Sequence, residues 1–319
     1  MDVVDIVTCL DKNFVMPTGV MLYSVCVNNV ELDIVFHLVV DESVTDKDKT
    51  DLEETVTAFE GKSVLFYQIS SIKFMNFPAL QRQNRLTQAT YYRLILGEIL
   101  PETIHKVLYL DGDIVVRHSL QSLWRTDLTD MALAASPSAL CGYIVIYNRL
   151  RIPCRYGYFN AGVLLINLDY WRIHNVVNDF ENFVKTRSND ILLHDQDVLN
   201  GVLFDKKIIL PIRYNMIPGY LSKRPTYEYL RFEKEVLESR KDPIIIHYAD
   251  CHPWKYTRDP HPFASTFFKY QAKTRWKNSP IVDKRSLFLR LRHLITDVQN
   301  KLGIKSKKES YFVELSPLD

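Results

Sequence analysis

The stretch with the most chemical potential in the chain is Lys106-Val-Leu-Tyr-Leu-Asp111-Gly-Asp113-Ile-Val-Val116. Val107, Leu108 and Leu110 form a short apolar run, two carboxylates follow one residue apart, and Ile114, Val115 and Val116 resume the run. A run of this length reads as a strand buried in a sheet, although periodicity alone also admits a segment of buried helix. Carboxylates at the end of a buried strand lose hydration at high cost, so a positive partner is expected beside them. Residues i and i+2 of an ideal strand share a face, which would let Asp111 and Asp113 converge on one cation. Hard oxygen ligands suit Mg2+ or Mn2+, and such ions commonly link protein carboxylates to substrate phosphates. The alternative is a strand end that turns out into solvent, because Asp and Gly are ordinary turn residues. The tripeptide alone leaves both readings open.

Other polar groups stand where apolar runs begin or end. Asp11-Lys-Asn13 follows the run that ends at Leu10. Arg93 lies among apolar residues in Tyr91-Tyr-Arg93-Leu-Ile-Leu, where an unpaired guanidinium would be costly; on this window alone it reads as a surface Arg on an amphipathic helix. Asn160-Ala161-Gly162 opens an apolar run, and small residues there let a ligand approach backbone closely or simply mark a bulge. His194-Asp195-Gln196-Asp197 opens a helical pattern, for which the plain account of the two aspartates is capping. His247 ends the run Ile244–Ile246, and a lone His at a strand end is more often structural than a ligand.

The elements that must position these groups alternate. Val3–Leu10, Ile34–Val40 and Val64–Ile69 read as strands; between them, Thr18 is expected to cap a helix through Val20, Tyr23 and Val27, and Thr45 a helix carrying Leu52, Val56 and Phe59. A helix is expected from Thr87 towards Pro101, a loop over residues 137–155, and a helix capped by Asp169 with Trp171, Val176, Phe180 and Val184 on one side. Phe263, Phe267 and Tyr270 lie on one side of a later helix. Strands alternating with amphipathic helices imply parallel βαβ units. In such sheets ligands bind beyond the carboxyl ends of the strands, so Asp11–Asn13 and Asp111/Asp113 would face one crevice.

Composition is that of an ordinary soluble globular enzyme, and 319 residues suffice for one large α/β domain with a tail. Of the net charge of +2, the window from Asp283 to Lys308 alone carries +6, which leaves the remainder at −4. The basicity is thus a property of the tail and not a stripe across the core, which argues against nucleic acid as a partner. The five cysteines (Cys9, Cys26, Cys141, Cys154 and Cys251) are scattered, with no C-x-x-C pair, and suit a reducing cytoplasm. Met1-Asp-Val-Val-Asp lacks a basic stretch and a cleavage site, so no signal peptide is expected, and no apolar run approaches the roughly 18–20 residues of a membrane span.

Taken in order, Tyr91-Tyr-Arg93-Leu, Val107-Leu-Tyr-Leu-Asp111-Gly-Asp113, Tyr158-Phe-Asn160-Ala-Gly162-Val-Leu-Leu-Ile-Asn167, Asp195-Gln196-Asp197-Val-Leu-Asn200 and Ile246-His247-Tyr…Pro253-Trp254 resemble glycosyltransferase family 8 from about residue 3 to about residue 256. It looks close to the bacterial lipopolysaccharide galactosyl- and glucosyltransferases, with glycogenin a more distant relative. It implies an α/β fold of the GT-A type: a Rossmann-like, mostly parallel sheet flanked by helices over residues 1–262, followed by a basic helical extension over residues 263–319. It also implies a retaining transferase that moves galactose or glucose from a UDP-sugar to an oligosaccharide or lipid-linked glycan, with a divalent metal, Mn2+ or alternatively Mg2+. By this resemblance Asp111, Asp113 and His247 are the metal ligands. Cys9, Asp11 and Asn13 match positions that hold uracil and ribose, and Asp111, Gly112 and His252 positions near the nucleotide. Arg93, Asn160, Ala161 and Asp195 match donor-sugar contacts, and Gln196, with Asp195, the positions at the reacting carbon. No carboxylate is clearly placed as a nucleophile; a same-face displacement assisted by the leaving phosphate is compatible, and the route stays open.

The chain departs from the family pattern His-Phe/Tyr-x-Gly…Lys-Pro-Trp by carrying Asp250 for the Gly and His252 for the Lys. An aspartate repels a diphosphate, and an unshifted imidazole is fully charged only below about pH 6.5. Ser138 stands where some relatives carry a donor-contacting Asp, which bears on donor choice. Two other readings follow from the same residues. A haloacid-dehalogenase-type phosphatase also carries an apolar run before Asp-x-Asp, but the motif usually opens such a domain; a degenerate relative would bind nucleotide or glycan without turnover. In the tail, Leu287, Leu291 and Leu294 recur at helical spacing beside Arg290, Arg292 and His293. A basic helix over roughly 284–302 would either lie on anionic lipid, placing a cytoplasmic enzyme at the inner face of its membrane, or pack as a solvated helix.

Overall fold

Val107, Leu108, Tyr109 and Leu110 are all buried, as a strand covered on both faces requires. They belong to β4 (Lys106–Leu110) of a seven-stranded sheet seen in a computed structural model of the chain. The structure describes residues 3–69, 89–224, 231–257, 259–283, 285–301, 310–315 and 318. The other strands of this sheet are β1 (Val4–Leu10), β2 (Ile34–Val40), β3 (Lys62–Gln68), β6 (Leu133–Pro137), β7 (Phe159–Asn167) and β8 (Lys207–Ile209). Their order is β3-β2-β1-β4-β7-β6-β8. Strands β1 to β4 pair in parallel and β6 pairs in parallel with β8, while β7 runs antiparallel to both of its neighbours.

Alternate residues feed two cores. Val7, Val39, Val107, Tyr109, Leu164 and Ile166 face one, while Ile6, Phe36, Leu108, Leu110, Val163 and Leu165 face the other. A third apolar cluster lies under a two-stranded sheet of β5 (Ile114–Val116) and β9 (Ile245–His247), which pair antiparallel. This cluster joins Val115 and Ile246 to Tyr220, Trp254, Phe263, Phe267 and Phe312. His261 sits in it against the Tyr248 ring at 4.8 Å, and burial, helped by the nearby His247, pushes its imidazole down to about 3, so it packs neutral.

Several local expectations change. The first helix spans Val15–Val27, so Thr18 lies inside it, buried, and does not cap it. Thr45 does cap Asp46–Thr57, in a reciprocal box with Asp48. Asn167, not Asp169, caps the helix Leu168–Ile173 by accepting from the Tyr170 N–H at 2.9 Å, and Asp169 instead meets His105 at 3.0 Å. That helix ends at Ile173, and after Asn175, which takes a left-handed conformation (φ 51°), a separate helix follows, Val176–Arg187. Residues 137–155 hold a helix, Ile144–Leu150, where only a loop was expected. The helix expected from Thr87 is broken: Ala89–Tyr92 is followed by a 3-10 turn, Arg93–Ile95, and a short helix, Leu96–Ile99, while Thr87 and Gln88 lie outside the described residues. The helix Ala264–Gln271 carries Phe267 into the third cluster, and Trp276 beyond it packs so closely on the first helix that a Cβ on Gly19 would lie 1.9 Å from its ring.

Candidate active site

Three pairings bring the polar groups together. β1 and β4 run in parallel, so Asp11 and Asp111 emerge at the same end of the sheet. β7 runs the other way, which places its first residues there too, and the Asp111 N–H donates to the Gly162 carbonyl at 2.9 Å. β9 sets His247 opposite Ile114, one residue beyond Asp113. Asp111 and Asp113 therefore converge through the Gly112 turn between β4 and β5 and not along one strand face as the ideal-strand argument supposed.

Oxygen atoms of Asp111 and Asp113 and a ring nitrogen of His247 all lie within 4.8 Å of one another. His247 Nε2 is 3.6 Å from Asp111 Oδ2 and 3.3 Å from Asp113 Oδ1. Its Nδ1 lies 2.9 Å from Asn215 Oδ1, which can only accept, so Nδ1 carries a proton and Nε2 is left aimed at the carboxylates. Two hard oxygens and one imidazole nitrogen with its far side held by an amide form a donor set suited to Mn2+ or Mg2+. Burial opposes charge on both partners, yet each sustains the other. The His247 and His252 imidazoles hold the Asp113 carboxyl well below the usual range, and Asp113 and Asp111 raise His247. The close approach explains Gly162: a Cβ there would lie 2.2 Å from the His247 ring and 2.8 Å from Asp111 Oδ2.

Arg93 is 6% exposed, which overturns its reading as a surface residue. Its Nη2 is 2.9 Å from Asp111 Oδ1 and its Nε 3.0 Å from Asp195 Oδ2, while Nη1 donates to the Ala161 carbonyl at 2.8 Å. The guanidinium lies 4.4 Å over the Tyr109 ring, whose hydroxyl donates to Asp111 at 2.7 Å. Burial, with the Asp111 charge, pushes the Asp195 carboxyl up to about 7 against the pull of Arg93. Neither Asp195 nor Asp197 caps by the simple pattern. Asp197 accepts from the N–H groups of Leu192 and Leu193, from Arg149 at 2.6 Å and from the Tyr158 hydroxyl at 2.9 Å, fixing the turn that presents His194, Asp195 and Gln196. Gln196 Oε1 accepts from Asn160 Nδ2 at 2.9 Å and from the Ala161 N–H at 3.1 Å.

Arg93, Asp111, Asp113, Asn160, Asp195, Gln196 and His247 line a cleft of ≈ 540 Å³ together with Cys9, Asp11 and Gly112. Burial pushes the Cys9 thiol far up, so it is neutral. Asn13 is exposed and is not among the lining residues; its N–H donates to Asp11 Oδ1 at 2.8 Å. Ser138 and Asp250 also line the cleft. Asp250 takes a left-handed backbone (φ 57°), a conformation that Gly adopts freely and Asp tolerates. His252 Nε2 lies 3.0 Å from Asp113 Oδ2, with Lys255 Nζ at 2.9 Å from its Nδ1 and the Trp254 ring stacked at 4.7 Å. Lys255 is the donor in that contact, so His252 turns its own N–H to Asp113 and serves the carboxylate. Sequence reasoning missed Asn215, Tyr109, Tyr158 and Asn200. Asn200 clasps the Phe159 backbone through both its carbonyl and its amide (2.9 Å each), and only its place in Asp195-Gln-Asp-Val-Leu-Asn200 hinted at it. Asn215 had no signal, because it works from a short turn between Tyr214 and Met216.

A mostly parallel α/β sheet with acidic, partly buried groups converging beyond its strand ends is the architecture of an enzyme that binds its ligand in the sheet crevice. A family model described as glycosyl transferase family 8 matches residues 5–258, and the chain belongs to that family. It is 28% identical over 279 residues to general stress protein A of Bacillus subtilis (strain 168), covering 86% of this chain and 95% of the relative. It is 24% identical over 282 residues to lipopolysaccharide 1,3-galactosyltransferase of Salmonella typhimurium (strain LT2), covering 86% and 79%. The crystal structure of the galactosyltransferase LgtC in complex with donor and acceptor sugar analogs superposes with a TM-score of 0.73 at 28% identity, covering 85% of this chain and 96% of that one. Family membership sets aside the haloacid-dehalogenase alternative.

Asn215 fixes the tautomer of His247, so Asn215→Ala is expected to weaken Mn2+ binding by about 10–100-fold and, because the buried amide also holds Asn160, to lower stability by about 1–3 kcal/mol. Calorimetric titration with Mn2+ checks this, and an unchanged affinity would show that Asn215 is not needed to aim the ring.

Proposed function

We propose that the chain is a metal-dependent, retaining hexosyltransferase that moves galactose or glucose from a UDP-sugar to an oligosaccharide or lipid-linked glycan in lipopolysaccharide or surface-polysaccharide synthesis. The observation that carries the reading is the convergence of Asp111, Asp113 and His247 within 4.8 Å in a family 8 chain. In this reading residues 1–262 form the catalytic unit and residues 263–319 an extension of it.

Asp111, Asp113 and His247 would hold the ion, preferentially Mn2+. When bound, it neutralises charge on the departing diphosphate. The remaining work is done by side chains. Arg93, Asn160 and Asp195 hold the donor sugar with the Ala161 backbone, Gln196 places its amide at the reacting carbon, and Cys9 and Asp11 hold the uridine, with Asn13 steadying Asp11 from outside the cleft through its N–H. His252 reaches the nucleotide by way of Asp113. Arg93 is already tied to both Asp111 and Asp195, so the sugar meets a prepaid arrangement and little reorganisation is needed at the moment of transfer.

The extension has a second task in this reading. The helix Leu287–Lys301 leaves Leu291, Leu294, Ile295 and Val298 exposed on one face, at the spacing of a single stripe, within a window of charge +6. An apolar stripe beside basic residues suits an anionic lipid surface and would hold a cytoplasmic enzyme at the inner face of the membrane, near a lipid-linked acceptor. Among the described residues no helix is long and apolar enough to cross a membrane.

With Mn2+ the protein is expected to release UDP slowly from UDP-galactose or UDP-glucose, and Asp113→Asn or a chelator should bring that release to background. Turnover of a generic aryl phosphate without UDP release would return the phosphatase reading, and UDP binding without turnover across an acceptor screen would make the chain a non-catalytic relative. Replacing Leu291 and Leu294 by Ser should reduce co-sedimentation with phosphatidylglycerol vesicles, in a salt-sensitive manner; unchanged sedimentation would remove the membrane role.

A further inference from the structure

Away from the carboxylates, one stretch of the cleft wall carries no charge. It is built from Leu140, from Ile217, Pro218 and Gly219, and from Tyr311 near the far end of the chain. These pieces are contiguous: a Cβ on Gly219 would lie 2.4 Å from that of Ala139, next to Leu140, and the strand-like pairing of Ser222 with Phe312 ties the 218–222 turn to the terminal segment.

Tyr311 is held tightly. Its carbonyl accepts from the Lys223 N–H at 2.9 Å, its N–H donates to Asp259 Oδ2 at 2.6 Å, and on either side Ser310 Oγ donates to Asp259 Oδ1 at 2.7 Å and the Val313 N–H to the Leu221 carbonyl at 2.9 Å. The next residue, Phe312, is 4% exposed in the third cluster, and Leu318 is buried with its carbonyl accepting from Lys269 at 2.7 Å. Tyr311, 52% exposed, lines the cleft with its ring edge-on to the buried Phe312 ring, the centroids 5.1 Å apart, so the anchored Phe312 also steadies it.

A fixed, half-exposed aromatic ring with a hydroxyl at its edge offers an apolar face to the C–H side of a sugar ring and a polar tip to its hydroxyls. An uncharged wall suits a neutral sugar and offers nothing to a diphosphate. We propose that Tyr311 is the platform for the acceptor sugar, so that a segment beyond the family-matched residues 5–258 completes the acceptor subsite. The proposal rests on the transferase reading above.

The test compares, in the full chain, UDP-sugar turnover with water as acceptor and transfer to the methyl glycosides of glucose and galactose. For Tyr311→Ala, hydrolysis should stay within about twofold of the wild type while transfer falls about tenfold through a raised acceptor KM, and Tyr311→Phe should keep most of the transfer. Hydrolysis and transfer that fall together, transfer that does not fall, or a wild type that hydrolyses donor yet transfers to neither glycoside would each overturn the proposal. A wild type that turns over no UDP-sugar would overturn the transferase reading itself, which the unmutated protein reveals before any variant is compared.

Discussion

Asp111, Asp113 and Asp195 crowd into one partly buried site that the Arg93 guanidinium answers with a single permanent positive charge. Much of the surrounding fold manages that imbalance. Arg93 is spent on Asp111 and Asp195, and the two carboxylates of the β4–β5 turn are left facing imidazoles. A divalent cation would offset the remaining negative charge, in a place where two carboxylate oxygens and an oriented ring nitrogen already meet. In the low-dielectric interior such a deficit is costly, so the site is far more particular about what completes it than an exposed acidic patch would be.

The topology serves the same constraint. β7 runs against its neighbours, which carries Asn160, Ala161 and Gly162 to the end of the sheet where β1 and β4 finish. β5 and β9 leave the main sheet and pair with each other, which brings His247 beside Asp113. Asn215 then links the two arrangements, donating to Asn160 Oδ1 at 2.8 Å and holding the His247 ring with its other atom. Where the chain departs from the family pattern, the geometry shows what has changed. Asp250 satisfies the left-handed backbone that a glycine would fill, and His252, standing where the pattern has Lys, is turned to Asp113.

The order of strands and helices was legible because buried strands and amphipathic helices differ in period, and the Asp-Gly-Asp turn stood out because charge is rare after a buried run. What stayed hidden depended on pairing between distant parts of the chain. Arg93 read as a surface residue because its two carboxylate partners lie far away in sequence. Thr18 and Asp169 are good caps in isolation, but the first helix starts earlier under packing and Asn167 reaches the orphan N–H first. Asn215 and Tyr311 sit in short irregular segments with no period to read, and only tertiary anchoring gives them a role.

The central claim is that the acidic turn and His247 act on a nucleotide only through a shared divalent ion. Calorimetric titration of UDP into the protein, with Mn2+ present and again in chelator, tests this most directly. The account predicts measurable binding with Mn2+ and its loss without the ion; equal affinity in both conditions would contradict it.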